Sequence, residues 1–439
     1  MAHAADGDLD QTFGTNGIAR SGVDDAGADA AIVVQSDGKI LTCGSRGFLT
    51  DSFNDFFISR FLANGALDTA FGIAGHVTID FDHALDYCTA IKVQSDGRIV
   101  AAGRHDIMDP FGGSTGSFAL TRVNSDGALD TTFGGGTGKV TVTFDSGSSS
   151  STALALQRDG KIIVAGEANV SRIPFKTDFA VLRLLPNGSL DFGFGVAGKA
   201  TAGFGAYSTY DRARSIALDD QGRILLAGGA DILNVRRMGI VRLLTDGALD
   251  TTFGDAGHVL ATADIVNKAE ANQVIVQHDG TIVLAGQLGD TASATPHTDM
   301  AVVRLLPDGT PDATFANQGL ALIPVDLGTQ NGVLASANDV VEQGDHRLVL
   351  AGIARINQND YWKAVVVRLD TSGTPDPSFA GGGTAIFDSS DAQLFVAVTL
   401  SDGRILAAGA AIGYGASGTT VDTIVTRLQA DAIFAHGFE

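Results

Sequence analysis

The 439-residue chain is short of several things at once. It has two cysteines, nine prolines, four methionines and one tryptophan. Two cysteines are too few for a disulfide framework or a cysteine-bound cluster. No apolar run reaches the roughly 20 residues that a membrane span takes. Lys and Arg number 29 against 50 Asp and Glu, a formal net charge of −21. That imbalance argues against nucleic acid, whose binding rests on phosphate neutralisation, and against docking on anionic lipid. Charged residues make up only 18% and hydrophobic residues 44%, too apolar a mix for intrinsic disorder. No stretch carries a convincing 3.6-residue apolar period, so helices are not expected.

What is abundant is glycine, 56 residues, and it falls in register. A Leu-Asp-x-x-Phe-Gly phrase recurs with its Phe at 13, 71, 133, 194, 253, 315 and 379. A Ser-Asp-Gly-Lys-Ile phrase centres on Asp37, Asp96, Asp159, Gln221, Asp279, Asp345 and Asp402, and an Arg-Leu phrase begins at Arg60, Arg122, Arg183, Arg242, Arg304, Arg368 and Arg427. Length alone would suggest about three domains. A repeat seen seven times replaces that with one array over 9–428, preceded by a short leader at 1–8 and followed by a tail at 429–439. Each unit of about 60 residues reads as four short strands, the first two joined by Asp-Gly and the third and fourth by Asn-Gly or Asp-Gly. In unit one they are 31–35, 39–44, 56–62 and 76–81. Seven such units describe an all-β, seven-bladed β-propeller with four antiparallel strands per blade. The array opens on a fourth strand, 17–22, and closes on a third, 423–428. The N-terminal strand is therefore expected to complete the last blade, a one-plus-three closure that removes two aggregation-prone edges.

Spacing separates rigid from variable segments. Seven residues always part the turn position from the Gly that ends the return strand, and eight part the Arg from the next Asp. The remaining connections vary, from 14 to 19 residues between return-strand Gly and Arg, and from 23 to 30 between Phe and turn position. One face should carry fixed tight turns and the other all the length variation. Loops on a rigid scaffold are where function usually sits, so a site is expected on the variable face near the axis. The repeated Arg is read as pairing with a turn carboxylate or with carbonyls within its own blade, the repeated Phe as a plug between blades, and the Asp-Gly-x-x-Asp pattern (Asp126, Gly127, Asp130) as turn chemistry rather than a calcium loop.

Motif matches dissolve in this frame. The G-x-G-x-x-G at 193–198 is the repeat's own Phe-Gly turn, with no helix after it. The G-x-S-x-G at 112–116 lies in a Gly/Ser loop, not on a nucleophile elbow. The nine histidines show no H-E-x-x-H and no metal spacing, although ligands from distant blades could converge. Cys43 and Cys88 belong to neighbouring blades, and an interblade disulfide and two buried thiols both remain open.

Residues that break the repeat are the better candidates. The run 80–86 offers Asp80, Asp82 and Asp86, weak calcium ligands, beside His83. Tyr207, Tyr210 and Arg212 mix aromatic and charged groups, which suits a sugar or a peptide. Arg236 and Arg237 could capture a carboxylate. Tyr361 and Trp362 suggest a contact surface. Asp86, Asp211 and Asp391, all where inner strands begin, are the weak catalytic candidates. No cofactor is required, calcium apart.

The Leu-Asp-x-x-Phe-Gly-x-x-Gly, Ser-Asp-Gly-Lys-Ile-x-x-x-Gly and Arg-Leu-x-x-x-Gly phrases resemble the delta-60 repeat of bacterial β-propellers, over almost the entire chain. Pro311 and Pro375 in place of Leu, and His346 in place of the turn Gly, depart from it. The order strand, Asp-Gly, strand, loop, strand, Asp-Gly-x-Leu also resembles the NHL-type propeller repeat. That likeness implies that the first strand of each unit is innermost, where Ala90, Ala153, Ala155 and Ala217 suit the narrow space. The delta-60 resemblance implies an exported propeller and no particular reaction. Ala2-His3-Ala4 has the small-x-small form of a signal-cleavage site, consistent with export. Two functions are expected to compete. One is a monomeric, extracytoplasmic, non-catalytic propeller that binds a protein or polysaccharide, or serves as a scaffold, through its variable face. The other is a hydrolase or lyase whose carboxylates converge near the axis, which needs paired acids with separated pKa values.

Overall fold

A computed structural model describes residues 5–23, 31–47, 54–108, 114–144, 147–172, 175–262, 267–293, 296–328, 333–356, 360–387, 392–401, 403–415 and 418–429. Strand dominates throughout. Among the described residues the one helical element is a 3₁₀ turn, Gly134–Gly136, and no helix is long and apolar enough to cross a membrane.

The repeating element is a four-stranded antiparallel sheet whose strands a to d follow chain order. Unit two runs Leu85–Val93, Ile99–Met108, Ser114–Val123 and Lys139–Val142, each strand bonded to the next. Unit four runs Arg212–Leu218, Ile224–Ile232, Val235–Leu243 and His258–Leu260. The a–b turn follows from its residues. Asp37 Oδ1 accepts the Lys39 amide at 3.2 Å, and Gly38 sits at φ +80°, where a side chain would be strained. The c–d turn repeats the device, with Asn64 Oδ1 accepting the Ala66 amide and Gly65 at φ +86°.

The repeated Phe joins neighbouring units, as expected of it, and the repeated Arg, expected to pair within its own blade, also reaches the next one. Arg242 Nε donates to Asp250 Oδ2 at 2.8 Å, and its Nη1 reaches the Pro307 carbonyl of unit five at 2.5 Å. Its guanidinium lies 4.4 Å above the ring of Phe253, which is wholly buried. The Gly254 amide donates to the Asp308 carbonyl, and a Cβ at Gly309 would stand 2.9 Å from the Phe253 ring. Glycine is needed there because the plug seats directly on the next unit's turn. The same set recurs at Arg60, Arg122, Arg183, Arg304 and Arg427.

Where the array runs out, the N-terminal segment supplies the missing parts. Ile18–Arg20 pairs antiparallel with Ile424–Thr426 on the edge of the sheet formed by Ala392–Ser401, Arg404–Gly415 and Gly418–Leu428. The Gly7 amide donates to the Gln429 carbonyl, the Gln429 amide to the Asp8 carbonyl, and the Ala380 amide to the Asp6 carbonyl. Asp6-Gly7 thus occupies the slot of a c–d turn.

The a strands of units one to six line one central cavity of about 360 Å³, which puts them innermost. From unit two onward each carries a bulge at the same place, between Cys88 and Ala90, Ser151 and Ala153, Ala213 and Ser215, Ala271 and Gln273, Ala337 and Asp339, and Phe395 and Ala397. A bulge re-aims its extra residue. Thr152 Oγ1 then donates to the Ala213 carbonyl and Asn272 Nδ2 to the Ala337 carbonyl, each on the next inner strand. Cys43 and Cys88 form a disulfide between units one and two, with Cα atoms 5.8 Å apart. The converging inner ends bring neighbouring strands closer than ordinary sheet stacking would.

Candidate functional site

The variable loops gather two charged clusters at the start of the inner strands. The first lies where unit one meets unit two. Asp55, Asp80 and Asp86 each place a carboxylate oxygen within 4.8 Å of the others. Asp86 is wholly buried and accepts the Phe81 amide at 2.8 Å and the His105 ring at 2.8 Å. Burial pushes its carboxyl up to about 6. Asp55 is also raised, first by burial and then by the charge of Asp80. His83 stands 3.3 Å from Asp80, and Lys139 Nζ donates to the Asp80 carbonyl. The acidic trio expected from the sequence therefore changes one member. Asp82 is exposed at φ +59° and outside the group, while Asp55 enters from the c strand of unit one.

The second cluster spans units three to five. Arg212 makes a two-pronged bond to Glu167, at 2.7 and 2.6 Å. Arg236 does the same to Asp231, at 2.8 and 3.0 Å, and also reaches Glu270 at 3.0 Å. Arg214 donates to that same Glu270 oxygen. Glu270 is buried, which alone would raise its carboxyl, but Arg214 and Arg236 outweigh burial and hold it below its ordinary value. The hydrogen bond to Glu167 raises Arg212 above the ordinary arginine value. The Tyr210 ring lies 5.8 Å from the Arg212 guanidinium, 5.9 Å from that of Arg236 and 6.1 Å from the Phe175 ring. Phe175 is 51% exposed and Tyr207 72%.

The fold thus brings together Tyr210, Arg212 and Arg236, which the sequence singled out as breaks in the repeat, while Tyr207 is exposed. Arg237 is half-buried next to Arg236. Tyr361 is exposed on another loop, and Trp362 lies under the Arg355 guanidinium at 4.1 Å. Glu167, Asp231 and Glu270 escaped sequence reading because they sit within strands, as did Arg214 at the bulge of its inner strand. The signal available was position, since Glu167 directly follows the return-strand Gly166.

The catalytic candidates are placed differently. Asp211 is wholly buried, accepts the Phe204 amide at 2.9 Å and the Ser208 hydroxyl, and is raised by burial. It repeats in unit four the loop-fastening bond that Asp86 makes to Phe81. Neither Asp86 nor Asp211 lines the central cavity. Asp391 lies outside the described residues. Asp339 does line it, and its oxygens accept from Gln273 Nε2 and the amides of Val340 and Val398. Two more grooves, of about 250 and 680 Å³, open on the fixed-turn face beside Asp219 to Gln221, a face the spacing had set aside.

The family described as "Domain of unknown function (DUF5122) beta-propeller" matches residues 35–71, 94–133, 157–194, 222–253, 277–315 and 343–379, just over half of the chain. No curated protein matches the sequence. Among solved structures, the polysaccharide lyase Uly1 is similar at a TM-score of 0.52 and 14% identity, over 96% of this chain and 95% of that one. A protein of unknown function from Dyadobacter fermentans aligns at 0.42 and 10%, over 94% and 100%. The α-L-arabinofuranosidase Arb93A from Fusarium graminearum aligns at 0.45 and 11%, over 78% and 93%. At such identities the likeness to the lyase is one of fold.

Proposed function

The chain belongs to the DUF5122 β-propeller family, and from that premise we propose that it is an exported, monomeric, non-catalytic, seven-bladed propeller that binds a polysaccharide on its variable-loop face. The reading of a closed ring is supported by the N-terminal strand paired with Ile424–Thr426 and by the Arg427–Asp10 bond. Export is supported by the Cys43–Cys88 disulfide, which persists in oxidising compartments.

One observation carries the binding site: the Tyr210 ring lies 5.8 Å from the Arg212 guanidinium and 5.9 Å from that of Arg236, with the exposed Phe175 ring 6.1 Å away. Aromatic faces offer apolar area to the CH face of a sugar ring, while a fixed lattice of guanidinium and carboxylate groups meets hydroxyls and carboxylates. The catalytic alternative, a hydrolase or lyase with acids converging near the axis, would need two carboxyls opening on the central cavity. Among the described residues, Asp339 is the single carboxylate lining the central cavity.

Affinity electrophoresis against neutral and uronic-acid polysaccharides tests the reading. Retardation by one class, abolished in Tyr207→Ala with Tyr210→Ala, is the expected result. No retardation by any polysaccharide, together with a stable complex with a protein captured from the native host, would move the reading to a protein partner. Release of unsaturated or reducing ends would overturn it in favour of the enzyme.

A further inference from the structure

Three residues on the fixed-turn face break the repeat side by side. Three residues before the turn position the units carry Val34, Val93, Leu156, Leu218, Val276 and Thr399, but Glu342 in unit six. The residue before the turn position is Ser36, Ser95, Arg158, Asp220, Gly344 and Ser401, but His278 in unit five. The turn glycine, present as Gly38, Gly97, Gly160, Gly222, Gly280 and Gly403, becomes His346 in unit six. His346 keeps the turn's φ of +67°, a conformation that favours glycine. Hairpin chemistry therefore does not account for a histidine there.

The fold unites these departures across two units. His346 Nδ1 lies 2.8 Å from Glu342 Oε1, and the His278 amide donates to Glu342 Oε2 at 3.3 Å. Gln277 Nε2 donates to Glu342 Oε1 at 2.9 Å, which fixes the carboxylate between the two histidines. The rings of His278 and His346 lie 6.4 Å apart, centre to centre, and nearly parallel. Both are exposed to solvent.

We propose that His278 and His346 form a surface site for a divalent transition cation, zinc, nickel or copper(II), with Glu342 as the residue that orients His346. Imidazole is the preferred protein ligand of these ions. A proton on Nδ1 donated to Glu342 leaves Nε2 as the coordinating nitrogen, the carboxylate–histidine arrangement that fixes metal-bound imidazoles. The neighbouring Asp279 and Asp345 add negative charge around His346.

Calorimetric titration of the untagged full chain with zinc chloride near neutral pH tests this. The wild type is expected to bind one ion saturably. His278→Ser and His346→Gly, which restore the residues of other units, should each weaken binding about tenfold or more, and Glu342→Gln by about tenfold. His346→Gly returns glycine to a positive-φ position, so its metal-free melting temperature should equal or exceed the wild type's. Lost binding in that variant is then loss of a ligand and not of the fold. Absence of saturable binding to the wild type would overturn the proposal. So would wild-type affinity in the His278→Ser, His346→Gly double variant, which would send the ion elsewhere, for instance to Asp55, Asp80 and Asp86.

Discussion

Arg427 and Asp10 are 417 residues apart in sequence and 2.8 Å apart in the fold. The other repeated arginines bond an aspartate eight residues further along, as Arg60 does Asp68 and Arg368 does Asp376. At that offset from Arg427 stands Ala435. The partner comes instead from the far end of the chain, and Asp10 is 1% exposed. Burial would raise its carboxyl, but bonds from Thr12 and the Arg427 charge hold it below its ordinary value. Arg427→Met leaves that charge only the longer Arg404 contact, at 3.6 Å, at a cost of about 3 kcal/mol. Arg242→Met should cost about as much, since its pair with Asp250 is equally buried. The two should differ under limited proteolysis. Arg427→Met should release the segment before Arg20 to cleavage, whereas Arg242→Met should leave it protected. Equal protection would mean that the terminus is held without this pair.

Two phenylalanines close in sequence should behave oppositely. Phe194 is wholly buried beneath Arg183, with its ring 4.7 Å from the guanidinium, while Phe192 is 75% exposed. Phe194→Ala should cost about 3–5 kcal/mol in urea unfolding, the usual loss for a large buried ring. Phe192→Ala should stay within about 0.5 kcal/mol. Similar losses would refute the assignment of the repeated Phe as the joint between units.

Much of this was legible because a repeat states its rule many times. Phe194 and Arg183 recur in register, so their structural role could be read from spacing alone. The same logic exposed Tyr210, Arg212 and Arg236 as exceptions. Their partners were not legible, because Glu167 and Glu270 lie within strands whose sequence looks ordinary, and a contact across units depends on the inclination of the sheets. Asp55 is the same case. It joins Asp80 and Asp86 from a strand of the preceding unit, while Asp82, adjacent in sequence, turns to solvent because it takes a left-handed conformation. The Cys43–Cys88 pair hung on how closely inner strands converge, a distance that no spacing encodes.

That disulfide staples unit one to unit two over a sequence separation of 45 residues. On the chain-entropy account, closing such a loop is worth about 4 kcal/mol through the unfolded state. Reduction, or Cys43→Ala with Cys88→Ala, should therefore lower the urea midpoint while leaving the strand content by circular dichroism unchanged. A midpoint insensitive to reductant would mean that the thiols are not joined in solution.

The pH dependence of stability should carry the mark of Asp86. Its carboxyl is pushed up to about 6 by burial, against 3.8 for the free group. Between about pH 4 and 6 the folded chain keeps a proton that the unfolded chain has released, so stability falls as pH rises through that window. The effect is opposite in sign to that of Asp10, Asp68 or Asp130, whose lowered carboxyls make the fold weaker as pH falls. Asp86→Asn cannot ionise, yet its amide oxygen can still accept the Phe81 amide. The difference in melting temperature, variant minus wild type, should therefore grow in the variant's favour from about pH 4 to pH 7 and level off above that. The individual curves will bend with all the other carboxylates, which is why the difference is the quantity to plot. A difference that does not change with pH would mean that Asp86 ionises at an ordinary value.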